Sequence, residues 1–308
     1  MKNKVTLSII IVHYIEETLL FECLQSIFAS KFKEKLEVIV VDNGSKLGFQ
    51  KRLEDSYDQV RYCKPEKNLG YGAGNNFGAL IATGNWLFFL NPDTQLHQDT
   101  LSTITAFINK HSNLGVVAPT LLHKDNSLFE QQGSLTLTPL RILAAHSIFH
   151  RIWPSNSIAQ NFWLAGVDQT KDRRVEVVPG TALLIPKNIF YSVGRFDPQF
   201  FLYFEESDIC RRILEMEKEI WMIGEAKIIH HWEGTTKASD TKRIFQDSLK
   251  KYLHKYYNFG IAKIVYILSR ITKWGLLVVI LLLILIISFV AYKEHYYGTR
   301  VVSYSETN

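Results

Sequence analysis

The 308-residue sequence has only three cysteines, and no two of them form a Cys-x-x-Cys pair. This scarcity indicates neither a disulfide framework nor a thiolate zinc site, and it favours a reducing compartment. The sequence also has little excess of either charge, since 35 lysines and arginines oppose 30 aspartates and glutamates. The strongly basic balance typical of nucleic-acid-binding proteins is absent, and we expect no nucleic-acid partner.

The N-terminus does not have the pattern of a secretory signal peptide, because Val5–Val12 is short, β-branched and followed by no small-residue cleavage site. One long uncharged run is present, Gly275–Tyr292, which would make a helix of about 27 Å, close to the thickness of a bilayer core. We predict a single transmembrane helix there, with a short tail at 293–308; a buried core helix is the alternative. Basic residues are denser before this run than after it, which predicts a cytoplasmic location for the bulk of the chain.

Residues 5–95 alternate short apolar runs with helical patterns, which predicts an α/β fold with a parallel sheet covered on both faces. The expected strands are Leu7–Val12, Glu37–Val41, Val60–Cys63 and Trp86–Leu90, with a later strand at Val177–Ile185. The expected helices lie near 17–29, 49–57 and 74–82. In such sheets ligands bind at the carboxyl ends of the strands, so the residues that follow each strand are the first candidates for chemistry.

Carboxylates follow two of these strands, Asp42 after the second and Asp93 after the fourth. We expect them at neighbouring strand ends. Between them, Asn68–Gly78 carries four glycines, which permit a close approach of backbone to a ligand at a helix N-terminus. The spacing matches neither the dinucleotide fingerprint nor a Walker loop. Taken singly, each of these segments is more typical of an ordinary turn than of a ligand site.

The strongest local signal is the acidic cluster Glu205, Glu206 and Asp208, which lies between apolar flanks. Mutual repulsion and partial burial would raise the pKa of at least one carboxyl toward the range of a general base. A solvated acidic helix start is the alternative. His230 and His231 follow another apolar run, and a nitrogen ligand beside Asp93 would suit Mn²⁺; a purely structural histidine pair is equally consistent.

Seven stretches resemble, in order, the motifs of glycosyltransferase family 2, in particular its bacterial rhamnosyltransferase-like branch, over roughly residues 5–260. They are Ser8–Tyr14, Val38–Ser45, Asn68–Gly78, Leu90–Thr94, Gly180–Ile185, Gly194–Asp197 and Phe201–Asp208. The resemblance implies a GT-A fold over residues 1–240, with a Rossmann-like nucleotide-binding half and an acceptor half. It further implies an inverting enzyme that moves a sugar, such as the deoxysugar rhamnose, from a nucleotide-diphosphate donor to a glycan or polyprenyl-linked acceptor. This reaction would serve cell-surface polysaccharide synthesis at the cytoplasmic face of the bacterial inner membrane.

The resemblance also implies roles for individual residues. Glu206 matches the general base, with Glu205 and Asp208 in support, and Asp93 matches the ligand of a divalent metal, Mg²⁺ or Mn²⁺. His230, or less readily His231, matches a histidine that reaches the metal or diphosphate. The contacts to the nucleotide sugar fall on Asp42, Asn68, Gly70, Asn76 and Asn91.

Two positions depart from the family pattern. The common Asp-x-Asp motif reads Asn91-Pro92-Asp93, so that one metal ligand is missing, and His13 stands where an asparagine commonly follows the first strand.

Basic and aromatic residues interleave at near-helical spacing between residues 241 and 259, within a predicted juxtamembrane helical segment at 241–274. This pattern suits a helix at the membrane interface, and a helix that packs on the catalytic domain is equally consistent. Two other functions stay open: a membrane-anchored, catalytically inactive glycosyltransferase-like binding protein, and a sugar nucleotidyltransferase. The second would need a basic, glycine-rich loop near the N-terminus, where the sequence instead has Glu16 and Glu17.

Overall fold

The computed structural model describes residues 6–232, residues 238–271 and residue 288. The strands are β1 (Leu7–His13), β2 (Leu36–Asp42), β3 (Val60–Cys63), β4 (Trp86–Leu90), β5 (Thr94–Leu96), β6 (Leu114–Leu122), β7 (Arg173–Arg174), β8 (Ala182–Pro186) and β9 (Glu219–His230). The helices are α1 (Glu17–Phe28), α2 (Phe49–Ser56), α3 (Tyr71–Ala79), α4 (Thr100–Lys110), α5 (Pro139–His146), α6 (Ile148–Ile152), α7 (Ser157–Phe162), α8 (Lys187–Ser192), α9 (Glu205–Glu215), α10 (Ala238–Tyr256) and α11 (Phe259–Ser269).

The strands form one sheet in the order β3-β2-β1-β4-β8-β6-β9-β5, with β7 paired to β9. The parallel arrangement predicted for the first four strands is confirmed, whereas β8 runs antiparallel to β4 and makes the whole sheet mixed. All seven residues of β1 are buried. Ile9 and Ile11 pack into one hydrophobic cluster and Ile10 and Val12 into another, because successive side chains of a strand point to opposite faces.

Three details differ from the sequence expectations. The helix expected from Gly74 begins at Tyr71, because the glycine-rich turn winds into its first turn. The strand expected at Val177–Ile185 is shorter, Ala182–Pro186. The strand ends that carry Asp42 and Asp93 are not neighbours, because β1 lies between β2 and β4 and brings His13 between the two carboxylates.

The C-terminal helices add a third hydrophobic cluster, in which Leu249, Tyr252 and Leu253 of α10 pack against Phe200 and Phe204. The interleaved segment at 241–259 therefore lies largely on α10 and packs on the chain that leads into α9. The transmembrane run predicted at 275–292 lies outside the described residues, apart from position 288. Within residues 6–271, where described, no helix is long and apolar enough to cross a membrane.

Candidate active site

The glycine-rich turn at 68–71 is locked against the segment that precedes α9. Gly70 has a φ of +80°, and a Cβ at this position would lie 2.1 Å from the carbonyl oxygen of Phe201. The same oxygen accepts a 2.8 Å hydrogen bond from the Tyr71 N–H. Only glycine meets both requirements, so the turn and residue 201 form one continuous wall of the site.

Asn43, directly after β2, holds the same turn from its other side and is only 4% exposed. Its Nδ2 donates to Asn68 Oδ1 at 2.8 Å and to the Gly70 carbonyl at 3.1 Å, and its Oδ1 accepts from the Leu69 N–H at 2.8 Å. The sequence analysis missed this role, because an asparagine beside a glycine after a strand signals a turn without revealing its long-range partners. The exposed side chain of Asn68 is thereby oriented by Asn43.

Asp42 is almost completely buried, and its carboxylate is fully engaged by donors from the protein. Tyr62 and Lys64 donate to Oδ2 at 2.6 and 2.9 Å, and the N–H groups of Gly44 and Ser45 donate to Oδ1 at 3.1 and 2.8 Å. Burial alone would raise the pKa of Asp42, but these hydrogen bonds outweigh it and hold the pKa well below its usual range. The charged carboxylate therefore organises the end of β2.

Two further residues predicted to contact the nucleotide sugar are tied into the surrounding backbone. Asn76 donates from Nδ2 to the Phe196 carbonyl at 2.8 Å and accepts from the Phe196 N–H at 3.1 Å, so its amide clamps α3 to the turn before α9. The Asn91 N–H donates to the Thr181 carbonyl at 2.8 Å and extends the pairing of β4 with β8.

The first residues of α9 carry the two glutamates. Tyr203 and Phe204 both have positive φ values, 69° and 70°, a conformation that costs energy for residues with large side chains. This bend aims Glu205 and Glu206 inward at the start of the helix. Glu205 is 3% exposed, and its Oε2 has no hydrogen-bond partner among the described residues.

Glu206 is half-buried beside Gly180, where an added Cβ would lie 3.7 Å from Glu206 Oε2. Burial raises the pKa of both glutamates, and the neighbouring charge of Glu206 raises that of Glu205 further. A carboxyl group with a raised pKa can accept and release a proton near neutral pH.

Tyr71 shows that residues distant in sequence meet in one site. Its hydroxyl donates a 2.6 Å hydrogen bond to the Gly180 carbonyl. Burial raises the Tyr71 pKa, and the nearby carboxylates of Glu205, Glu206 and Asp93 raise it further. The charges of these three acids therefore act on one hydroxyl, although Asp93 follows β4 and the glutamates begin α9.

Asp93 and His230 form a pair suited to a divalent metal, because β5 and β9 pair antiparallel with Thr94 opposite His230. His230 Nε2 lies 3.2 Å from Asp93 Oδ2. Two ligands bound at right angles about 2.1 Å from one ion would be about 3 Å apart, so the spacing fits. His231 donates its backbone N–H to the Asp93 carbonyl at 3.0 Å, so the side chain of His230 is the one directed to the carboxylate.

In the described part of the chain, no three His, Cys, Asp or Glu side chains converge as a complete metal cage. A mixed oxygen and nitrogen pair of this kind fits Mn²⁺, which would need further ligands to complete its coordination shell. A cavity of about 610 Å³ opens beside the pair, and its lining includes His123, Lys124, Phe129 and Trp232. The ring of Trp232 stacks on Phe129 at 4.7 Å.

Asp208, the third acid of the cluster, is fully buried in a different environment. Its Oδ2 accepts from Arg212, and its Oδ1 lies 2.5 Å from Lys255 Nζ and accepts a 2.7 Å hydrogen bond from the Tyr256 hydroxyl. The structure therefore shows Asp208 in an ion-pair network that joins α9 to α10.

His13 is fully buried and stacks on Phe49 at a centroid distance of 4.4 Å. Neither ring nitrogen has a hydrogen-bond partner among the described residues. Burial lowers the His13 pKa to about 4 despite the opposing charge of Asp42. The ring is therefore neutral at physiological pH.

The mixed sheet, with the Asp–His pair after β4 and the two glutamates at the start of α9, has the architecture of a GT-A glycosyltransferase fold. A solved structure of GalNAc-T7 with UDP, GalNAc and Mn²⁺ superposes with a TM-score of 0.58 at 15% identity, covering 77% of this chain and 46% of that one. The model of Glycosyl transferase family 2 matches residues 8–176, more than half of the chain. The chain belongs to this family, and the family and the GT-A part of the fold expected from the sequence are confirmed.

Two curated relatives extend the comparison. An N-acetylglucosaminyl-diphospho-decaprenol L-rhamnosyltransferase of Mycobacterium tuberculosis is 24% identical over 220 residues, which cover 65% of this chain and 68% of the relative. The low-salt glycan biosynthesis hexosyltransferase Agl10 of Haloferax volcanii is 22% identical over 283 residues, which cover 89% of this chain and 83% of the relative.

Proposed function

We propose that the protein is a metal-dependent, inverting glycosyltransferase of cell-surface polysaccharide synthesis. It moves a hexosyl or deoxyhexosyl group, such as rhamnose, from a nucleotide-diphosphate donor to a hydroxyl of a glycan or polyprenyl-linked acceptor. The observation that carries the proposal is the Asp93–His230 pair, 3.2 Å apart, together with the two glutamates at the start of α9, whose charges act with that of Asp93 on the Tyr71 hydroxyl. The name of the mycobacterial relative supports both the deoxysugar and the lipid-linked acceptor.

Glu206 acts as the general base. Its half-buried carboxylate takes the proton from the acceptor hydroxyl while that oxygen attacks the anomeric carbon from the side opposite the phosphate. The new carbon–oxygen bond forms as the bond to the donor phosphate breaks, and the nucleoside diphosphate leaves, so the anomeric configuration inverts. Glu205 supports Glu206 from the adjacent position: burial and the charge of Glu206 raise its pKa, and its Oε2 has no hydrogen-bond partner within the described part of the chain.

Asp93 and His230 would hold Mn²⁺ or Mg²⁺, which when bound offsets the negative charge that grows on the departing diphosphate. The single carboxylate in Asn91-Pro92-Asp93 is consistent with a shell completed by the histidine and the donor phosphates. Asn68 and Gly70, oriented by Asn43, frame the donor, and Asp42 acts by fixing the end of β2. Asn76 and Asn91 contribute through the backbone that they brace.

The proposal places the catalytic domain at 1–240, the juxtamembrane segment at 241–274 and a single membrane anchor at 275–292. The enzyme would work at the cytoplasmic face of a bacterial inner membrane. The uncharged run and the basic residues before it support this arrangement.

The test uses the full chain, purified in detergent, with dTDP-, UDP- and GDP-sugars in the presence and absence of Mn²⁺. We expect one donor to raise the unfolding midpoint only with metal, and to release its nucleoside diphosphate when a polyprenyl-linked acceptor is added. Glu206→Gln should lower turnover by about 10²–10⁴-fold and retain donor binding. Glu215→Gln, at an exposed position of the same helix, is the matched control.

Donor binding without turnover by the unaltered chain, with any acceptor, would favour the inactive binding protein. Release of pyrophosphate from a nucleoside triphosphate and a sugar phosphate would favour the nucleotidyltransferase instead.

A further inference from the structure

We propose that the outward face of α11 is a membrane-contact surface that lies in the headgroup region of an anionic bilayer. This inference rests on the anchor included in the proposed function. The inner face of α11 is covered by protein, because Ala262, Val265 and Ser269 are buried and the helix packs against α5 and α10.

The opposite face of the same helix is also apolar. Ile264 is 59% exposed and Ile267 is 53% exposed, and at 100° per residue they lie across the helix axis from the buried positions. Phe259, at the N-terminus of the helix, is 69% exposed. Each exposed isoleucine lacks the favourable free energy that burial of its side chain would contribute. We therefore expect a second surface to cover this face of the helix in the working protein.

Two cationic side chains border this exposed apolar face of α11, and each lies close to an aromatic ring. Lys263 Nζ lies 5.9 Å from the centre of the Phe259 ring, and the Arg270 guanidinium lies 5.4 Å from that of Tyr266. Arg270 also donates to the Tyr266 hydroxyl at 3.0 Å. Apolar side chains bordered by basic and aromatic ones are the composition of helices that lie in a lipid interface, with charged heads directed to the phosphates.

The position of α11 in the chain favours a bilayer, rather than a second protein, as the partner of its exposed face. The helix ends at Ser269, and the uncharged run of 18 residues begins at Gly275, so a chain that enters a membrane there must bring α11 to its surface. On α10, the exposed side chains of Lys250 and Lys251 line a hollow of about 570 Å³ together with Asp247, His254 and Lys255. Anionic headgroups attract exposed lysines that lie near a membrane surface.

This surface would set the height of the reacting centre above the membrane. α11 packs on α10, and α10 is bonded through Lys255 and Tyr256 to Asp208, three residues after Glu205. The bilayer, α11, α10 and the start of α9 thus form one rigid path. An acceptor carried on a polyprenyl diphosphate emerges from the same headgroup layer, so its first hydroxyls would meet Glu206 at a fixed depth.

The experiment measures depth directly in the full chain reconstituted into vesicles of phosphatidylcholine and phosphatidylglycerol. A fluorophore is attached at Ile264→Cys or Ile267→Cys in a Cys63→Ser background, where the two remaining cysteines are buried. Leu47→Cys, fully exposed at 101%, is the control. We expect quenching by lipids labelled near the headgroup at 264 and 267 and none at 47. Quenching at 264 and 267 by aqueous iodide, to the same extent as at 47, would overturn the proposal.

Protection of the labels at positions 264 and 267 from both quenchers would also overturn the proposal, because a protein surface rather than lipid would then cover the outward face of α11. Flotation of the vesicles distinguishes the two proposals. If the chain floats with the vesicles but shows no quenching by labelled lipid, the membrane anchor is supported and the contact by α11 is overturned. If the chain does not float, both are overturned. None of these readouts needs turnover, so an inactive transferase would leave them unchanged.

A functional arm uses Ile264→Asp with Ile267→Asp, for which we expect unchanged nucleotide release with a water-soluble acceptor and a lower rate with a vesicle-borne one. Leu80→Asp, exposed on a distant part of the chain, is the matched substitution. Equal rates for the two variants with the vesicle-borne acceptor would overturn the proposed role.

Discussion

Tyr256 donates a 2.7 Å hydrogen bond to Asp208 Oδ1 and thereby joins the last turn of α10 to the helix that carries both glutamates. Lys255 lies 2.5 Å from the same oxygen, and Arg212 holds the other one. Asp208 is 0% exposed, so its charge depends entirely on these partners. The C-terminal helices are therefore part of the structure that positions the site.

Asp208→Asn should destabilise the protein by about 3 kcal/mol, because it removes the buried counter-charge of Arg212 and leaves Lys255 with Asp197 as its remaining carboxylate partner. Urea unfolding of the full chain in detergent measures this change. Tyr256→Phe removes one hydrogen bond and should cost about 1 kcal/mol. A variant of unchanged stability with a large loss of turnover would instead assign Asp208 to the reaction.

Asn76→Ala should lower stability by about 1–2 kcal/mol and leave the KM for the donor unchanged, because the amide clamps Phe196. Asn43→Ala is the informative comparison, since it releases the turn at 68–70 and should raise that KM. Steady-state kinetics with whichever nucleotide sugar raises the unfolding midpoint in the donor panel checks both. The reverse ranking of the two KM values would show that Asn76 contacts the donor.

His230→Gln should weaken Mn²⁺ binding by at least about tenfold, because it removes the nitrogen ligand beside Asp93. The measurement is a Mn²⁺ titration of the donor-dependent shift in unfolding midpoint. His231→Gln, whose backbone rather than side chain reaches Asp93, should leave the titration unchanged. If His231→Gln gave the larger effect, the roles of the two histidines would be exchanged.

Acid should destabilise the fold through His146, which packs among the rings of Phe162, Trp163 and Phe245. Burial lowers its pKa from 6.5 to about 4. Between these values the unfolded chain binds a proton that the folded chain does not, so stability falls as the pH drops, by up to about 3 kcal/mol. His146→Phe should reduce the slope of unfolding free energy against pH over this window.

His13 has a similar shift, so part of the slope should remain in that variant. His254→Gln, at an exposed position of α10, serves as the control and should leave the slope unaltered. An unaltered slope in His146→Phe would mean that the imidazole is hydrated in solution.

The sequence predicted the parts of the fold that depend on local pattern. The apolar runs of β1–β4 specify their own strands, and the apolar flanks of the acidic cluster predicted the burial found for Glu205 and Asp208. The order of the strands was not predictable in the same way. No local sequence pattern near Asp42 or Asp93 indicates that β1 lies between β2 and β4 in the sheet. The same limit applies to Asn43, Asn76 and Asp208, whose roles depend on partners far along the chain.

The contact between Gly70 and the Phe201 carbonyl has a consequence for protein engineering. The glycine-rich turn at 68–71 and the segment before α9 pack so closely that no Cβ fits between Gly70 and the Phe201 carbonyl. The backbone conformation of each segment therefore depends on that of the other. A chimera that imports residues 68–78 from a relative should keep its activity only when residues 199–206 come from the same parent. Donor preference and placement of the base would then be inherited as a unit.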